Sequence, residues 1–301
     1  MGDLFLLFCG VDTLQNNISK FQTPAIKDLV WALCSPCPLN EEVGIPLVSD
    51  AKKYTWYQQH YALLKLWDNS PEEFNSQLKA FTKNHRLGYY FEALMHTFFH
   101  LSPYIKVELA NHQIIREKQT LGEIDFILKE DQEIYHLELA VKYYLQNEEA
   151  QEFEQWLGPN AKDNLAKKIL KLKEHQLNLT QHLNDYKDIP SKALICGQFY
   201  QNSPLVYWQN EKSERKGYMK ASTFEEWSLN EAILEYFLLE KPNWLSATVE
   251  TNESLKLQGR EELLARMQKS FNQKKAVHVG LLYKNGYTSI VLVPDAWPTL
   301  P

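Results

Sequence analysis

The spacing of apolar residues changes twice along this chain. In the first hundred residues apolar side chains recur every three to four positions, which is typical of amphipathic helices. From Tyr104 to Tyr144 apolar and polar residues alternate, as they do in half-buried strands. A helical spacing returns near residue 160. The order of helices, strands and helix predicts an α/β or α+β sandwich.

The amino-terminal part has the apolar spacing of consecutive helices. Pro24 suits the first turn of a helix over AIKDLVWALCSP, and YTWYQQHYALLKLW and PEEFNSQLKAF follow with similar spacing. In RLGYYFEALMHTFFHL the apolar positions recur at i, i+4, i+7 and i+11, and this helix ends near Pro103. We expect residues 1–85 to form a helical extension packed on a core at residues 86–202.

The carboxy-terminal part mixes further strands and helices. KALICGQFY and KGYMKA predict strands, and helices are expected around residues 223–240 and 260–271. Asn285-Gly286 between two β-rich stretches predicts a closing hairpin. Because no linker-like stretch interrupts the chain, we expect residues 203–301 to be an elaboration of one integrated domain.

The segment LGEIDFILKEDQEIYHLELAVK, residues 121–142, predicts a β-hairpin. Alternate residues of a strand share a face, so Asp125 in the first strand lies opposite the apolar positions, as do Glu138 and Lys142 in the second. The turn is expected at KEDQ. Such a turn brings Asp125 close to Glu138.

Two converging carboxylates suit a hard divalent cation such as Mg²⁺ or Mn²⁺, because these ions prefer oxygen ligands. A nearby lysine such as Lys142 can orient or help to deprotonate the attacking water, and the cation neutralises charge that develops on a phosphate. These groups predict a phosphodiester hydrolase. An edge hairpin with one solvated face carries the same alternating charges, and this alternative stays open.

Glu92 lies on the predicted helix before the sheet, at the border of its apolar face. From that position it can reach the edge of the core and serve as an auxiliary catalytic residue and metal ligand. His96 and His100 follow at i+4 and i+8, a spacing that also suits a transition-metal site. We interpret the two histidines as residues of the polar face.

Five segments resemble a known family: DLVWALCSP, LGYYFE, GEIDFI, HLELAVKYYL and WLGPNAKDNLAKKILKLKEHQL. They are similar to the bacterial domain-of-unknown-function family numbered 1853, which is grouped with the PD-(D/E)XK phosphodiesterases. The resemblance implies a restriction endonuclease-like core of α-β-β-β-α-β type, with a mixed central sheet flanked by helices. It also implies the roles of four residues: Asp125 and Glu138 as catalytic acids and metal ligands, Lys142 as the lysine, and Glu92 as the first-helix acid.

The chain departs from the superfamily pattern at the lysine. The usual position is two residues after the acid, where this chain has Ala140, and Lys142 stands two residues further on. The shift preserves the face but moves the Cα atom by about 6–7 Å along the strand. Lys167, Lys168 or Lys171 of the following helix can substitute. Otherwise the fold is catalytically weakened and serves as a nucleic-acid- or protein-binding module.

The helix predicted over residues 161–177 carries the best basic patch of an acidic chain. Its candidate nucleic-acid contacts are Lys162, Lys167, Lys168, Lys171 and Gln176. A row of lysines can track a phosphate backbone, and it is equally typical of a solvated helix face. Since the formal net charge is -6, attraction to nucleic acid has to come from such a local patch.

Composition and motifs narrow the class of protein. With 44% hydrophobic and 13% aromatic residues the chain is expected to be globular. No apolar run approaches the roughly 18 residues that cross a bilayer, so we expect a soluble, cytoplasmic protein without a membrane partner. No GxxxxGK[ST], GxGxxG or GxSxG segment occurs. The leading hypothesis is a Mg²⁺- or Mn²⁺-dependent nuclease that acts on DNA or RNA.

Overall fold

A computed structural model describes residues 11–40, 43–84, 86–147, 153–202, 216–251, 255, 257–284 and 286–299. Over these residues the chain has a mixed α/β structure of helices and strands. The strands form both parallel and antiparallel pairs. The helices are α1 (Val11–Ile18), α2 (Pro24–Cys34), α3 (Asp50–Gln59), α4 (Tyr61–Asn69), α5 (Glu72–Phe81), α6 (Leu87–Leu101), α7 (Leu165–Glu174), α8 (Ala221–Asn230) and α9 (Arg260–Asn272). The strands are β1 (Ile105–Arg116), β2 (Gln119–Glu130), β3 (Glu133–Gln146), β4 (Trp156–Leu157), β5 (Ser191–Asn202), β6 (Lys216–Lys220), β7 (Ile233–Leu238), β8 (Leu257–Gln258), β9 (Val277–Tyr283) and β10 (Gly286–Val293).

The described residues group into two compact units, each assembled from separate stretches of chain. The hairpin unit comprises the described residues of Ala32–Val141 and Lys167–Cys196. The C-terminal unit comprises the described residues of Met1–Trp31, Lys142–Ala166 and Gly197–Pro301. The domain boundaries expected near residues 85 and 202 concern successive segments of sequence, and they stay a prediction.

In the hairpin unit, β1, β2 and β3 form an antiparallel meander. The two stretches YIKVEL and HQIIRE, each expected as a strand, are one continuous strand β1 whose pairing with β2 shifts register between Val107 and Leu109. The β2–β3 connection is shorter than the expected KEDQ turn, because Glu130 still pairs with Glu133 and Asp131 makes the turn with a φ of 51°. The predicted hairpin is therefore confirmed, with longer strands.

The helices of the hairpin unit follow the apolar pattern that predicted them. Ser49 caps α3, since its side chain accepts a hydrogen bond from the backbone N–H of Lys52 at 3.2 Å. The Lys52 ammonium reaches Glu130 at 2.7 Å, and the indole N–H of Trp56 donates to the same carboxylate at 3.2 Å. These contacts tie α3 to the end of β2. The longest described helix, α6, has 15 residues and a length of about 22 Å.

The C-terminal unit contains parallel and antiparallel pairs of strands. Its strands follow the order β5-β6-β10-β9-β7-β8, with parallel pairing at β5–β6 and β6–β10. The terminal hairpin is confirmed, because β9 and β10 pair from Tyr283 and Gly286 onward, although Asn285 lies outside the described residues.

The prediction of a helix around residues 223–240 is wrong in its second half. α8 ends at Asn230, and ILEYFL at Ile233–Leu238 forms β7 instead. A short apolar stretch such as this one fits a helix or a strand equally well. Pairing with β9 selects the strand, in which Tyr236 and Phe237 are buried. Among the described helices, none has the length and apolar content to cross a membrane.

Candidate functional site

The carboxylates of Asp125 and Glu138 meet where the regular β2–β3 pairing ends. Described pairs run from Glu130 and Glu133 to Phe126 and Leu137. One position further along, the backbone N–H of Leu139 donates to Asp125 Oδ2 at 2.7 Å. The backbone N of Asp125 lies 3.5 Å from Glu138 Oε1. In a regular ladder these two backbone N–H groups would face carbonyl oxygens of the opposite strand. Here they face the carboxylates of Glu138 and Asp125 instead.

Glu138 is fully buried, and protein donors hold both of its carboxylate oxygens. His136 Nε2 lies 2.9 Å from Oε1, and the Gln176 amide donates to Oε2 at 2.5 Å. A buried carboxylate needs such partners, because burial removes the water that would otherwise solvate its charge. The contacts fix the orientation of the Glu138 side chain.

Gln176 also links the acids to a lysine of α7. Lys168 Nζ donates to Gln176 Oε1 at 3.0 Å, so a chain of hydrogen bonds runs from Lys168 through Gln176 to Glu138. Gln176 begins a 3-10 helix that ends at His182 and packs on β2. Gly122 makes the close approach possible, since a Cβ atom there would lie 2.9 Å from both terminal methyl groups of Leu179.

Four acids share this region, and we call Glu92, Glu123, Asp125 and Glu138 the acid site. Burial raises the pKa of Asp125 well above its usual value, and the charges of Glu138 and Glu92 raise it further. The Leu139 N–H and the Lys168 ammonium act in the opposite direction. The negative charge of the site is thus incompletely balanced by the neighbouring side chains.

Glu92 lies on α6, and its pKa responds to burial and to the charges of Glu123 and Glu138. Burial is the main cause that raises the pKa of Glu92, and the charges of Glu123 and Glu138 add to it. Lys83 and Lys168 oppose the increase. These electrostatic effects connect α6 with β2, β3 and α7, all within the hairpin unit.

His96, one turn after Glu92, is a packing residue. Its ring stacks on Phe81 with centroids 3.8 Å apart and meets the edge of Phe126 at 5.3 Å. Burial lowers the pKa of His96 to about 4, so the ring is neutral near pH 7. The expectation that His96 belongs to a polar face is therefore wrong, because this face of α6 is covered by aromatic rings. His100 is exposed and touches Phe81 edge-on.

Lys142 lies in the C-terminal unit, where it forms an ion pair. Its ammonium contacts Asp163 Oδ2 at 2.5 Å, and the Tyr144 hydroxyl lies 3.4 Å from the same oxygen. Lys167 and Lys171 are exposed on α7, and Lys168 on the same helix is partly buried and acts on the pKa of Asp125. Lys162 is exposed but precedes α7, so the helix is shorter than the predicted range of 161–177. Of the lysines considered from the sequence, Lys168 is thus the one whose charge acts on Asp125.

The chemistry of Asp125 and Glu138 fits a hard divalent cation. Mg²⁺ and Mn²⁺ take carboxylate oxygens and keep several waters, so two protein carboxylates form an adequate donor set. The raised pKa of Asp125 also fits, because a nearby cation would relieve the repulsion that causes part of the increase. In the part of the chain that is described, no three His, Cys, Asp or Glu side chains already converge as a metal site.

Besides Glu123, two residues of the region were not assigned a role from the sequence. His136 shares the β3 face of Glu138, and this alternation was the available signal for it. Ser191 Oγ lies 3.1 Å from His136 Nδ1 and is 55 positions away along the chain. No local pattern can indicate a contact of that kind, because it arises from non-local packing.

Comparison with known proteins gives one match that covers most of the chain. Residues 27–288 match the family described as Domain of unknown function (DUF1853). No curated protein and no solved structure matches the chain. The match includes the helices α3–α6, the meander and α7. The chain therefore belongs to the DUF1853 family.

Proposed function

We propose that the chain is a Mg²⁺- or Mn²⁺-dependent phosphodiesterase that cleaves DNA or RNA, with a hairpin unit of PD-(D/E)XK type. The observation that carries this proposal is the meeting of the Asp125 and Glu138 carboxylates at the end of the β2–β3 ladder. A fully buried Glu138 beside a half-buried Asp125 is costly to maintain for stability alone. Such an arrangement is typical of functional sites.

Asp125 and Glu138 would hold the cation. Glu92 would have to move closer to act as an auxiliary ligand, because no three such side chains converge in the described residues. When bound, the ion neutralises charge that develops on the phosphate during hydrolysis. The protein itself orients the acids, because the Leu139 N–H holds Asp125 while His136 and Gln176 hold Glu138. Preorganised groups of this kind need no rearrangement at the moment of reaction.

We assign the role of the catalytic lysine to Lys168. Its charge acts on Asp125 and Glu92, and its ammonium is held by Gln176. An ammonium in this position can orient the attacking water or stabilise the developing negative charge. Lys142 remains the second candidate, since the expected motif places the lysine on β3, and its activity would require release from Asp163.

The substrate would approach along the exposed lysines of α7. Lys167 and Lys171 lie one turn apart on this helix and provide local positive charge in a chain whose net charge is -6. Contacts with phosphates are worth most when they neutralise several charges together. Gln176 serves the acid site in the arrangement described, so we assign it to positioning rather than to nucleic-acid contact.

A second function, a nuclease-like module that binds nucleic acid or protein without cleavage, is favoured by two observations. Ala140 occupies the usual lysine position and is buried. Protein donors already engage both Glu138 oxygens, as they would in a site that has lost its cation. Binding of nucleic acid without cleavage would support this alternative.

The test is a cleavage assay on single- and double-stranded DNA and RNA with Mg²⁺ or Mn²⁺. The variants are Asp125→Asn, Glu138→Gln, Lys168→Ala and Lys142→Ala, with Lys79→Ala on α5 as a control for loss of an exposed lysine. We expect the two acid variants and Lys168→Ala to lower kcat by about 100-fold or more, because each removes a group that acts on the transition state. Lys79→Ala should cleave like the wild type.

Three results would change the proposal. Cleavage that survives both acid substitutions would overturn the assignment of the site. Loss of cleavage in Lys142→Ala, with Lys168→Ala still active, would assign the role of the catalytic lysine to Lys142 on β3. Nucleic-acid binding without cleavage under all these conditions would favour the binding module.

A further inference from the structure

We propose that His136 is the positioning residue of the acid site, and that it anchors Glu138 Oε1 so that Oε2 is the oxygen presented to the cation. This inference rests on the proposed function, because it concerns how the same site would hold its ion. Two observations support it. His136 Nε2 lies 2.9 Å from Glu138 Oε1, and both side chains are completely buried, each with 0% exposure.

The proton on the imidazole follows from its neighbours. The Gln176 amide donates to Glu138, which identifies this carboxylate as an acceptor, and His136 Nε2 therefore donates to it. The Ser191 hydroxyl lies 3.1 Å from Nδ1. With a single ring proton on Nε2, Nδ1 accepts from this hydroxyl, and the donors then run from Ser191 through His136 to Glu138.

The backbone also restrains the imidazole. The backbone N–H of His136 donates to the Pro190 carbonyl at 2.9 Å, and Ser191 is the next residue and the first of β5. The start of β5 thus holds both the main chain and the side chain of His136. A fully buried ring with these contacts has little freedom to turn away from Glu138.

The two partners of Glu138 differ in their ability to move. Gln176 is partly exposed and begins a short 3-10 helix, so its amide can rotate toward solvent when a cation takes Oε2. His136 is buried, and its other ring nitrogen, Nδ1, contacts the Ser191 hydroxyl. Oε1 is consequently the fixed oxygen, and Oε2 is the one that can exchange its partner.

Removing such a support weakens a metal site without changing a ligand. Outer partners of ligating side chains set their orientation and basicity, and their loss lowers metal affinity by about 10- to 100-fold. We therefore expect the Kd for Mn²⁺ to rise by about this factor when His136 can no longer donate to Glu138.

The experiment compares two replacements of the same ring on the full chain. The amide of His136→Gln reaches the place of Nε2 and keeps the donor to Glu138, whereas the amide of His136→Asn reaches the place of Nδ1 and loses it. Calorimetry gives the Kd for Mn²⁺, and circular dichroism with thermal unfolding checks that each variant folds. Ser191→Ala, which leaves β3 unchanged, adds a milder variant of the same support.

The expected result is wild-type-like Mn²⁺ affinity in His136→Gln and weakened affinity in His136→Asn, with a smaller loss in Ser191→Ala. Equal affinity in the wild type, His136→Asn and Ser191→Ala would overturn the role of His136 while leaving the site itself in place. If the wild type binds no Mn²⁺, the proposed metal site fails, and this inference fails with it. Should His136→Asn not fold, Ser191→Ala decides alone.

Discussion

At the scale of single residues, burial decides the protonation of His96. Its ring lies between Phe81 and Phe126, with the Phe81 centroid at 3.8 Å. Burial lowers its pKa to about 4, and the neighbouring charges of His100 and Lys83 add to the decrease. In the unfolded chain the imidazole regains its ordinary pKa of about 6.5. Acid therefore favours the unfolded state at this position.

The sign of the pH dependence follows from linkage. The stability that neutral His96 contributes is fully present above about pH 6.5 and is lost as the pH falls toward its lowered pKa. His96→Phe keeps the stack on Phe81 and removes the titrating group. Between about pH 7 and pH 5 this variant should lose about 1 kcal/mol less unfolding free energy than the wild type, measured by urea titration. This is about half of the full linkage value, because the ring is partly exposed and solvent screens it.

His100→Phe is the matched control for this comparison, because His100 is exposed on the same helix and meets the same Phe81 ring. It should retain most of the acid sensitivity of the wild type, because burial, the main cause of the lowered pKa of His96, is unchanged. An acid profile of His96→Phe identical to that of the wild type would show that His96 does not titrate abnormally.

At the scale of elements, the acid site depends on how closely the 3-10 helix at Gln176–His182 packs on β2. Leu179 fills the space beside Gly122 and joins a small core with Ile114, Ile124 and Ile127. His175 Nε2 donates to the Leu121 carbonyl at 2.8 Å and adds a second attachment. This packing places Gln176 at Glu138.

Gly122→Ala should disturb that packing. The new methyl group would lie 2.9 Å from Leu179 Cδ1 and Cδ2 and 3.1 Å from a ring carbon of His175, so the Leu179 side chain or the 3-10 helix must shift. We expect a loss of about 1–3 kcal/mol in the free energy of unfolding, as for other overpacked sites. Chemical denaturation measures it.

Gly88→Ala provides the contrasting variant. Gly88 lies in α6, where a Cβ atom would meet nothing within 4 Å, and alanine favours a helix over glycine by about 1 kcal/mol. This variant should be as stable as the wild type or more so. If both alanine variants behave alike, the contact between β2 and the 3-10 helix is looser than its distances suggest.

At the scale of the whole molecule, the acid site should link stability to divalent cations. The chain is acidic overall, and burial together with neighbouring acids raises the pKa of Asp125 and Glu92. A cation that binds the folded state and not the unfolded chain stabilises the fold by mass action. Stability is thus a readout of the site that requires no knowledge of the substrate.

Mn²⁺ should raise the Tm of the wild type in a concentration-dependent manner. At about 100 times the Kd the added stability is about 2.7 kcal/mol, which differential scanning fluorimetry detects easily. Asp125→Asn keeps an acceptor for the Leu139 N–H while removing the charge, and it should abolish most of the shift. An equal shift in this variant would place the ion elsewhere.

The amino-acid sequence by itself determined the local features of this protein. Alternation over residues 121–142 specifies which face of the hairpin is apolar, and so it predicted that Asp125 and Glu138 would be neighbours. Helical spacing likewise predicted α2, α6 and α9, and family membership was readable from five segments. These features depend on periodicity along one stretch of chain, which a sequence displays directly.

Only the tertiary structure decided which partners surround the acids. It brought Gln176 to Glu138 and Lys168 to Gln176, paired Lys142 with Asp163, and placed Ser191 next to His136. It also made residues 233–238 a strand, because β9 offers backbone partners there. Such contacts join positions distant in sequence, and the free energy that selects them comes from packing and burial that no local pattern records.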